Sequence, residues 1–414
     1  MTRAVVTGLG CITPIGQSVG EFWDSLTSGR SGVRRITLFD PSDQDCQIAA
    51  EVKDWQPERF MDAKAARRAA RFSQFAVAAA KEAVEDSGLA ITDENRDGIA
   101  VAMNTGGGGV DIIAEGEKTY LEKGASRVGI FTVPAYAPNM ASCQVAINLG
   151  VHGPTVTSVA ACAAGIFAFV EAKRMIDLGE AEVVITGGAE ANIIPISVAA
   201  MANMKALSTR NQEPEKACRP FDATRDGFVY GEGAAAFVIE SLDHAERRGA
   251  RIYAELAGGA ITSDAYHITA PDPSGEQAAR AITKALQKSG LAPEDVDLIV
   301  AHGTGTPLND AAETVAIKRA LGEHAYKIAV TGPKSMVGHQ LGAAGAVSGL
   351  AAILAIDRGV IPPTINLEHP DPECDLDYVP LVARKAESRV ALVNGFGFGG
   401  QNGVAAFRRF ENGR

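Results

Sequence analysis

Residues 76–107, AVAAAKEAVEDSGLAITDENRDGIAVAMNTGG, and residues 279–306, ARAITKALQKSGLAPEDVDLIVAHGTGT, are two versions of one pattern. Each version predicts an amphipathic helix, a Ser-Gly-Leu-Ala stop, an acidic loop and an apolar strand that ends in glycines. Gly88 and Gly290 stand just past the helix, where a left-handed residue commonly ends it. The apolar run that follows is typical of a buried parallel strand. The sequence therefore predicts an internally duplicated α/β protein.

A second pair of segments supports the duplication. CAAGIFAFVEAKRMIDLG at residues 162–179 aligns without a gap with GAAGAVSGLAAILAIDRG at residues 342–359. Both segments are apolar on nearly every side, as expected for helices buried between layers. We expect two βα-rich halves, 1–250 and 251–414, that share an interface and form one compact body.

Composition limits the possible classes of protein. The chain has 414 residues, of which 46% are hydrophobic and 21% are charged, as in a globular protein. The net charge of −11 argues against nucleic acid as a general partner. The longest apolar stretches, such as residues 342–356, are shorter than the ~20 residues of a membrane span. The start, MTRAVVTGLG, predicts a strand and lacks the features of a signal peptide, so we expect a cytoplasmic protein.

Six cysteines are scattered along the chain without a CxxC pair, so neither a zinc site nor a disulfide framework is predicted. One of them, Cys162, lies in SVAACAAGI at residues 158–166, between a predicted strand and a predicted helix. Free backbone N–H groups and the helix dipole at such a position stabilise a thiolate. A lone free cysteine is also commonly a small buried apolar residue. The local sequence leaves both interpretations of Cys162 open.

The duplication brings two histidines into consideration. Cys162 aligns with Gly342, so His339 lies three residues before the matching point. If the halves pack with approximate two-fold symmetry, His339 approaches Cys162. His302 stands at the exit of the duplicated strand, where α/β sheets usually bind ligands, and the Gly-Thr-Gly-Thr run at residues 303–306 offers donors.

Three further segments surround these candidates. Lys334 precedes His339 in the same loop, and Glu313 on the next predicted helix is a candidate anchor for that lysine. Asp310 is interpreted as a helix cap. NGFGFGGQNG at residues 394–403 predicts a tight turn whose backbone N–H groups point into a site, with phenylalanine rings that wall it off.

Taken in order, VAACAAG, RPFDATRDGFVYGEGA, AHGTGTP, KSMVGHQLGAAG and NGFGFGGQNG resemble the motifs of the elongating, type II β-ketoacyl-[acyl carrier protein] synthases. The resemblance extends from Arg3 to Arg408. It implies a thiolase-like fold, a duplicated α/β/α/β/α five-layered sandwich. It also implies a decarboxylating condensation of malonyl-carrier protein with an enzyme-bound acyl group, which elongates chains in fatty acid synthesis.

The resemblance assigns roles to the candidate residues. Cys162 would attack the acyl thioester as a thiolate, with a pKa lowered by the helix N-terminus, and the N–H groups of Cys162 and Phe398 would hold the oxyanion. His302 and His339 would donate from neutral imidazoles to the enolate oxygen. The other implied roles are loop support by Lys334 and Glu313, gating by Phe398 with Phe228 beside it, and lining of the phosphopantetheine tunnel by His267, Thr269, Thr304 and Thr306.

An acidic carrier protein is the implied partner, and it requires local positive charge on this acidic chain. MDAKAARRAARF at residues 61–72 places basic residues at helical spacing, and a further docking residue lies in NMKALSTRN. The docking candidates are Lys64, Arg67, Arg68, Arg71 and Lys205. A solvated helix face is the competing interpretation. The family also implies a homodimer, no metal and no cofactor, because the carrier protein brings the phosphopantetheine.

Alternative functions share part of this pattern. A ketosynthase of a specialised polyketide or polyene pathway would keep every catalytic residue, and Gly106, beside the predicted acyl pocket, would suit a roomier cavity. A chain-length-factor-like partner subunit would keep the fold without the nucleophile, which Cys162 argues against. A thiolase would need a second cysteine in the C-terminal glycine motif, and that cysteine is missing.

Overall fold

The computed structural model describes residues 2–411. The terminal residues of the two predicted halves, 1 and 412–414, lie outside this range. The strands are β1 Ala4–Ile12, β2 Val33–Arg35, β3 Ile48–Ala50, β4 Ile99–Asn104, β5 Thr155–Val156, β6 Val183–Glu190, β7 Tyr230–Gly231, β8 Gly233–Ser241, β9 Ala254–Ser263, β10 Leu298–Val300, β11 Ala329–Thr331, β12 Val360–Ile361, β13 Arg384–Lys385, β14 Val390–Gly397 and β15 Gln401–Arg408.

Helices are interspersed among these strands. They are α1 Val19–Thr27, α2 Ala63–Ala66, α3 Arg71–Ser87, α4 Val110–Lys123, α5 Thr132–Tyr136, α6 Met140–Leu149, α7 Ala164–Asp177, α8 Pro195–Asn203, α9 Leu242–Arg247, α10 Glu276–Ser289, α11 Pro307–Leu321, α12 Lys334–Val337 and α13 Ala344–Arg358.

The strand order of the main sheet reflects the duplication, because the sheet consists of two units of five strands with equivalent order. The first unit runs β5-β4-β6-β8-β1 and the second runs β11-β10-β14-β15-β9. In both units the first three strands pair in parallel and the last two pair antiparallel. The sequence predicts two sheets, whereas here the hydrogen-bonded ladder continues between the units, because β1 pairs with β9. The chain passes from one unit to the other between α9 and β9.

The predicted duplicated segments have the predicted structures. Helices α3 and α10 both end at glycines in the left-handed region, Gly88 with φ of 64° and Gly290 with φ of 65°. Each is followed by a buried parallel strand, β4 or β10. Helices α3 and α6 cover the outer face of the first unit, and α10 with α11 cover the second. The α/β/α/β/α sandwich is thereby confirmed.

Helices α7 and α13 form the middle layer, and each contacts strands of both units. They pack so closely that a Cβ on Gly165 would lie 2.4 Å from the backbone nitrogen of Ala346. Residues 341–358 are long and apolar enough to cross a membrane, yet 83% of that stretch is buried inside the protein. Its hydrophobicity therefore belongs to the core.

A short 3-10 turn precedes each of these two helices, at Ala161–Ala163 and at Leu341–Ala343. Both turns begin with a non-glycine residue in the left-handed region, Ala161 and Leu341, each with φ of 44°. Such backbone strain persists where the surrounding structure holds it and is concentrated at functional sites. The two turns place Cys162 and the segment after His339 at equivalent positions of the duplicated fold.

Candidate active site

A cavity of about 320 Å³ lies at the N-terminal ends of the two middle helices. Cys162, His302, His339, Phe228 and Phe398 are among the residues that line it. The structure thus brings together the nucleophile and the two histidines, which are far apart in the sequence. The duplication predicts this convergence, since the two 3-10 turns meet where the halves pack together.

Cys162 lies in the 3-10 turn just before α7 and is only 7% exposed. Burial raises the pKa of its thiol to about 12, although the Lys334 ammonium and the backbone N–H groups of Phe398 and Cys162 all act to lower it. The prediction of a lowered pKa is therefore wrong, because desolvation of the sulfur outweighs the helix end. The same two N–H groups lie beside the sulfur, and their role in an oxyanion hole stays a prediction.

His302 follows β10 and is held through its backbone from two sides. The Glu313 carboxylate accepts from the backbone N–H groups of His302 and Gly303, both at 2.8 Å. The Lys334 ammonium donates to the His302 carbonyl oxygen at 2.5 Å. The predicted direct pairing of Glu313 with Lys334 is wrong, because each group bonds the His302 backbone instead. Both residues still hold the histidine loop, as the resemblance implies.

Asp310 is not the helix cap that the sequence predicts. Helix α11 is capped by Thr306, whose hydroxyl accepts from the Asn309 N–H. The Asp310 carboxylate, fully buried within α11, accepts from the backbone N–H groups of Thr304, Gly305 and Phe221. It thus shapes the loop that follows His302.

His339 completes the group of polar side chains in the cavity. Its ring centroid lies 5.3 Å from that of His302 and 5.1 Å from that of Phe228. Burial and the nearby Lys334 ammonium hold the pKa values of both imidazoles well below their ordinary value. Both rings are therefore neutral at neutral pH, and a neutral imidazole can still donate a hydrogen bond to an enolate oxygen from its one N–H group.

Lys334 begins α12 and is itself buried. Burial lowers the pKa of its ammonium to about 8, although Glu313 and Cys162 act to raise it. Its charge lowers the pKa of the Cys162 thiol and those of both imidazoles. Lys334 therefore influences all three reactive side chains without a direct hydrogen bond to any of their polar side-chain atoms.

Three of the four predicted tunnel residues line the cavity: Thr269, Thr304 and Thr306. The hydroxyls of Thr304 and Thr306 are 2.9 Å apart. His267 is exposed and does not line the cavity. Its Nδ1 accepts from the N–H groups of Thr269 and Ala270, both at 3.1 Å, so the ring folds back on its own loop.

Phe398 lies in the turn between β14 and β15, half-buried beside the cavity. The turn is bound to the segment that carries Thr269, since the Gly399 N–H donates to the Ile268 carbonyl at 2.8 Å. Phe228 packs edge-on against His339. Both aromatic residues line the cavity, and their gating role stays a prediction.

The predicted docking residues are only partly available. Lys64, Arg67, Arg68 and Lys205 are exposed, but α2 ends at Ala66, so the helical spacing is interrupted. Arg71 is unavailable, because it forms a two-point ion pair with the buried Glu232. Arg68 stacks 4.2 Å from the Phe131 ring, and the Lys205 ammonium lies 3.7 Å from Asp45. The docking candidates that remain exposed are therefore Lys64, Arg67, Arg68 and Lys205.

Sequence reasoning missed several polar residues of this region. Glu190 ends β6 beside the cavity, Asn192 lines the cavity, and Asn394 donates to Glu313 at 3.0 Å. A carboxylate at the end of the apolar strand VVITGGAE was the available signal for Glu190. Among residues 2–411, no cluster of three or more His, Cys, Asp or Glu could hold a metal ion.

Two family models and several named relatives match this chain. The family model described as the beta-ketoacyl synthase N-terminal domain matches residues 1–245, and the beta-ketoacyl synthase C-terminal domain matches residues 253–368. A 3-oxoacyl-[acyl-carrier-protein] synthase 2 of Synechocystis sp. is 51% identical over 409 residues, which cover 99% of this chain and 98% of the relative. The protein of the same name in Coxiella burnetii is 46% identical over 98% of both chains.

Solved structures extend the comparison. The ishigamide ketosynthase/chain length factor superposes with a TM-score of 0.93 at 36% identity, over 99% of this chain and 100% of that one. A type II polyketide ketosynthase bound to its acyl-carrier protein and a hexaketide, AntDE:AntF, superposes with a TM-score of 0.90 at 34% identity over the same shares. With matching family models over both halves and relatives aligned over almost their whole length, the chain belongs to the beta-ketoacyl synthase family.

Proposed function

We propose that this protein elongates acyl chains in type II fatty acid synthesis. It would condense malonyl-acyl carrier protein with an acyl group carried on Cys162, releasing CO2 and 3-oxoacyl-carrier protein. The main observation in support of the proposal is that Cys162, His302 and His339 line one cavity. A relative named 3-oxoacyl-[acyl-carrier-protein] synthase 2, 51% identical, supports the fatty acid pathway.

In the first step Cys162 attacks the acyl thioester carbonyl. The sulfur–carbon bond forms, the phosphopantetheine thiol leaves, and the proton of Cys162 ends on that leaving sulfur. Because burial raises the pKa of the thiol, we expect its proton to leave as the sulfur–carbon bond forms. The N–H groups of Cys162 and Phe398 support this step, since they can donate to the tetrahedral oxyanion.

In the second step malonyl-carrier protein loses CO2 and the electron pair becomes an enolate. Neutral His302 and His339 donate hydrogen bonds to the developing enolate oxygen. The enolate carbon attacks the acyl carbonyl on Cys162, the carbon–sulfur bond breaks, and the thiolate takes up a proton. Both histidines are only 2–3% exposed, so the enolate would form in a largely buried environment. The chemistry uses no resident cofactor, since phosphopantetheine arrives on the carrier protein.

A condensation assay tests this function directly. Purified protein is incubated with malonyl-carrier protein and a length series of saturated acyl-carrier proteins, and product masses are recorded. We expect 3-oxoacyl products two carbons longer than each accepted primer. The absence of condensation with every primer would reject the proposal.

A ketosynthase of a polyketide or polyene pathway is the second candidate. A solved structure named as a type II polyketide ketosynthase complex is 34% identical, and the ishigamide ketosynthase/chain length factor is 36% identical. Gly106 and Gly107 on the cavity wall leave that wall without side chains. Mass spectrometry of Cys162 after loading from polyunsaturated and polyketonic primers distinguishes the pathways, because exclusive loading of those primers favours the second candidate. A chain-length-factor-like subunit remains the non-enzymatic alternative, and any measurable turnover excludes it.

The partner that fits the exposed basic residues is an acidic carrier protein. Reversal of charge in Lys64→Glu/Arg67→Glu/Arg68→Glu is expected to raise the KM for acyl-carrier protein about tenfold or more, with kcat little changed. The measurement is steady-state condensation at low ionic strength.

The matched control for this surface is the triple reversal Arg280→Glu/Lys284→Glu/Lys288→Glu on α10. These three basic residues stand at helical spacing and do not line the cavity. The control is expected to keep the wild-type KM. Equal increases in KM for both triple variants would contradict docking at the first surface.

We also propose that two copies of the chain form a homodimer in the cytoplasm. The segment between β4 and α7 exposes Ile130 at 87%, Leu121 at 72% and Ile147 at 71%. The same segment contains β5, the edge strand of the main sheet. An exposed sheet edge with apolar residues around it is typical of an interface.

Ile147→Glu with Val156→Asp is expected to convert the dimer to monomer in analytical ultracentrifugation. Both introduced carboxylates would be buried against the second copy, and burial of an unpaired charge costs free energy. Because a two-fold interface contains each residue twice, the dimer would incur this cost twice. Leu178→Glu is the control, because Leu178 is 72% exposed outside this segment. A wild-type monomer, or a double variant that stays dimeric, would contradict the proposal.

A further inference from the structure

A carboxylate that the two reaction steps do not use lies beside the cavity. Glu190 is completely buried at the end of β6. One of its oxygens accepts from the N–H groups of Gly106 at 2.7 Å and Gly342 at 3.0 Å. The other accepts from the Asn192 amide at 2.6 Å and the Thr105 hydroxyl at 3.2 Å. In residues 2–411, no basic side chain forms an ion pair with it.

The four donors belong to segments whose relative positions determine the shape of the cavity. Gly106 and Asn192 line the cavity. Gly342 lies three residues after His339, in the 3-10 turn that precedes α13. Glu190 therefore connects the cavity wall of the first half with the histidine-bearing segment of the second half.

The connection depends on close approach of two glycines. A Cβ on Gly342 would lie 2.1 Å from the backbone nitrogen of Gly106, and a Cβ on Gly106 would lie 2.6 Å from a Glu190 carboxylate oxygen. Real Cβ atoms do not occupy such positions without displacing their neighbours. The two backbones thus meet at the carboxylate, and no side chain separates them.

The charge of the Glu190 carboxylate affects the pKa of the Cys162 thiol. Burial raises the pKa of Glu190 to about 7, against the lowering effect of the Gly342 and Gly106 N–H groups. Its negative charge raises the pKa values of the Cys162 thiol and the Tyr230 hydroxyl. The Lys334 ammonium acts on the Cys162 thiol in the opposite sense.

We propose that Glu190 is a positioning residue for the condensation, which holds the cavity wall at Gly106 and Asn192 against the segment that carries His339. The proposal rests on the proposed function and adds a fixed link between the two halves. A consequence is that the ionised carboxylate also restrains formation of the Cys162 thiolate. Removal of its charge and loss of its hydrogen-bond geometry should therefore have separable effects.

Glu190→Gln and Glu190→Asp separate the two effects. Glutamine removes the charge, so the thiolate fraction of Cys162 and its rate of alkylation by iodoacetamide should rise about three- to tenfold at mildly alkaline pH. Aspartate keeps the charge but is too short to reach all four donors, so alkylation should stay near the wild-type rate. Both variants should lower kcat for condensation about tenfold or more, while the KM for acyl-carrier protein changes little.

Glu240→Gln is the matched control for loss of a buried carboxylate. Glu240 is also completely buried, is bonded to Arg248 and His244, and does not line the cavity. It should keep the wild-type alkylation rate and kcat, with thermal unfolding recorded for every variant. If Glu190→Gln fails to fold, Glu190→Asp still tests the link through kcat.

Two results would overturn the proposal: wild-type kcat in both Glu190 variants, or a wild-type alkylation profile across pH in folded Glu190→Gln. Failure of the proposed function has a different signature, because the wild-type protein would then show no condensation with any primer. Alkylation of Cys162 needs no carrier-protein substrate, so it reports on Glu190 independently.

Discussion

Cys162→Ser is expected to lower the rate of condensation by about 10³-fold or more. A serine hydroxyl in this buried position is a far weaker nucleophile than the thiol, because its proton is harder to remove. The acyl-enzyme should not accumulate, which intact-protein mass spectrometry after incubation with acyl-carrier protein detects directly. Release of CO2 from malonyl-carrier protein should persist, since that step depends on His302 and His339.

The control for this substitution is Cys46→Ser, at another buried cysteine. Cys46 does not line the cavity, and its thiol contacts the Ile48 carbonyl, which a serine hydroxyl can also do. This variant should retain wild-type condensation and loading. A Cys162→Ser protein that condenses at the wild-type rate would remove the nucleophile from the mechanism.

The duplicated segments explain why so much of the fold follows from sequence. Both halves of the sequence retain the same local patterns. Helices end at Gly88 and at Gly290, and residues 162–179 align without a gap with residues 342–359. Because the halves repeat, the position of His339 relative to Cys162 follows from alignment alone. The pairing of β1 with β9 was not predicted, since nothing in either strand specifies which edges meet.

The incorrect site predictions share a physical cause. Asp310, Glu313 and Lys334 bond to backbone groups of a loop, and sequence gives no indication of which backbone groups a buried charge will meet. The partner of Arg71 is hidden for a different reason, because the Glu232 carboxylate is 161 residues away in the sequence. Desolvation of Cys162 likewise depends on the packing of both halves and not on its own helix.

Glu190 shows the limit of motif reading most clearly. Its segment, VVITGGAE, predicts only a buried strand that ends in an acidic residue. The importance of this residue comes from Gly106 and Gly342, which approach it from distant parts of the chain. When the role of a residue depends on glycines that approach it only in the folded protein, a single sequence gives almost no indication of that role.

His339→Ala is expected to lower the rate of malonyl decarboxylation, and with it condensation, by about 10²- to 10³-fold. The substitution removes one of two donors to the enolate in a site where burial makes each donor strong. Loading of the acyl group onto Cys162 should change much less, because the oxyanion of that step is held by backbone N–H groups. Single-turnover measurement of each half-reaction separates the two effects.

The protonation state of the ring provides an independent test of this role. Burial and the Lys334 ammonium lower the pKa values of His302 and His339, so both should stay neutral as pH falls through their ordinary value of about 6.5. Nitrogen NMR of the imidazoles in the intact protein measures this. His324→Ala is the kinetic control, because that ring lies outside the cavity and its Nε2 is hydrogen-bonded to the Val296 carbonyl. Imidazoles that become charged near their ordinary pKa would contradict the role of neutral donors. Decarboxylation within about threefold of wild type in His339→Ala would show that stabilisation of the enolate lies elsewhere in the cavity.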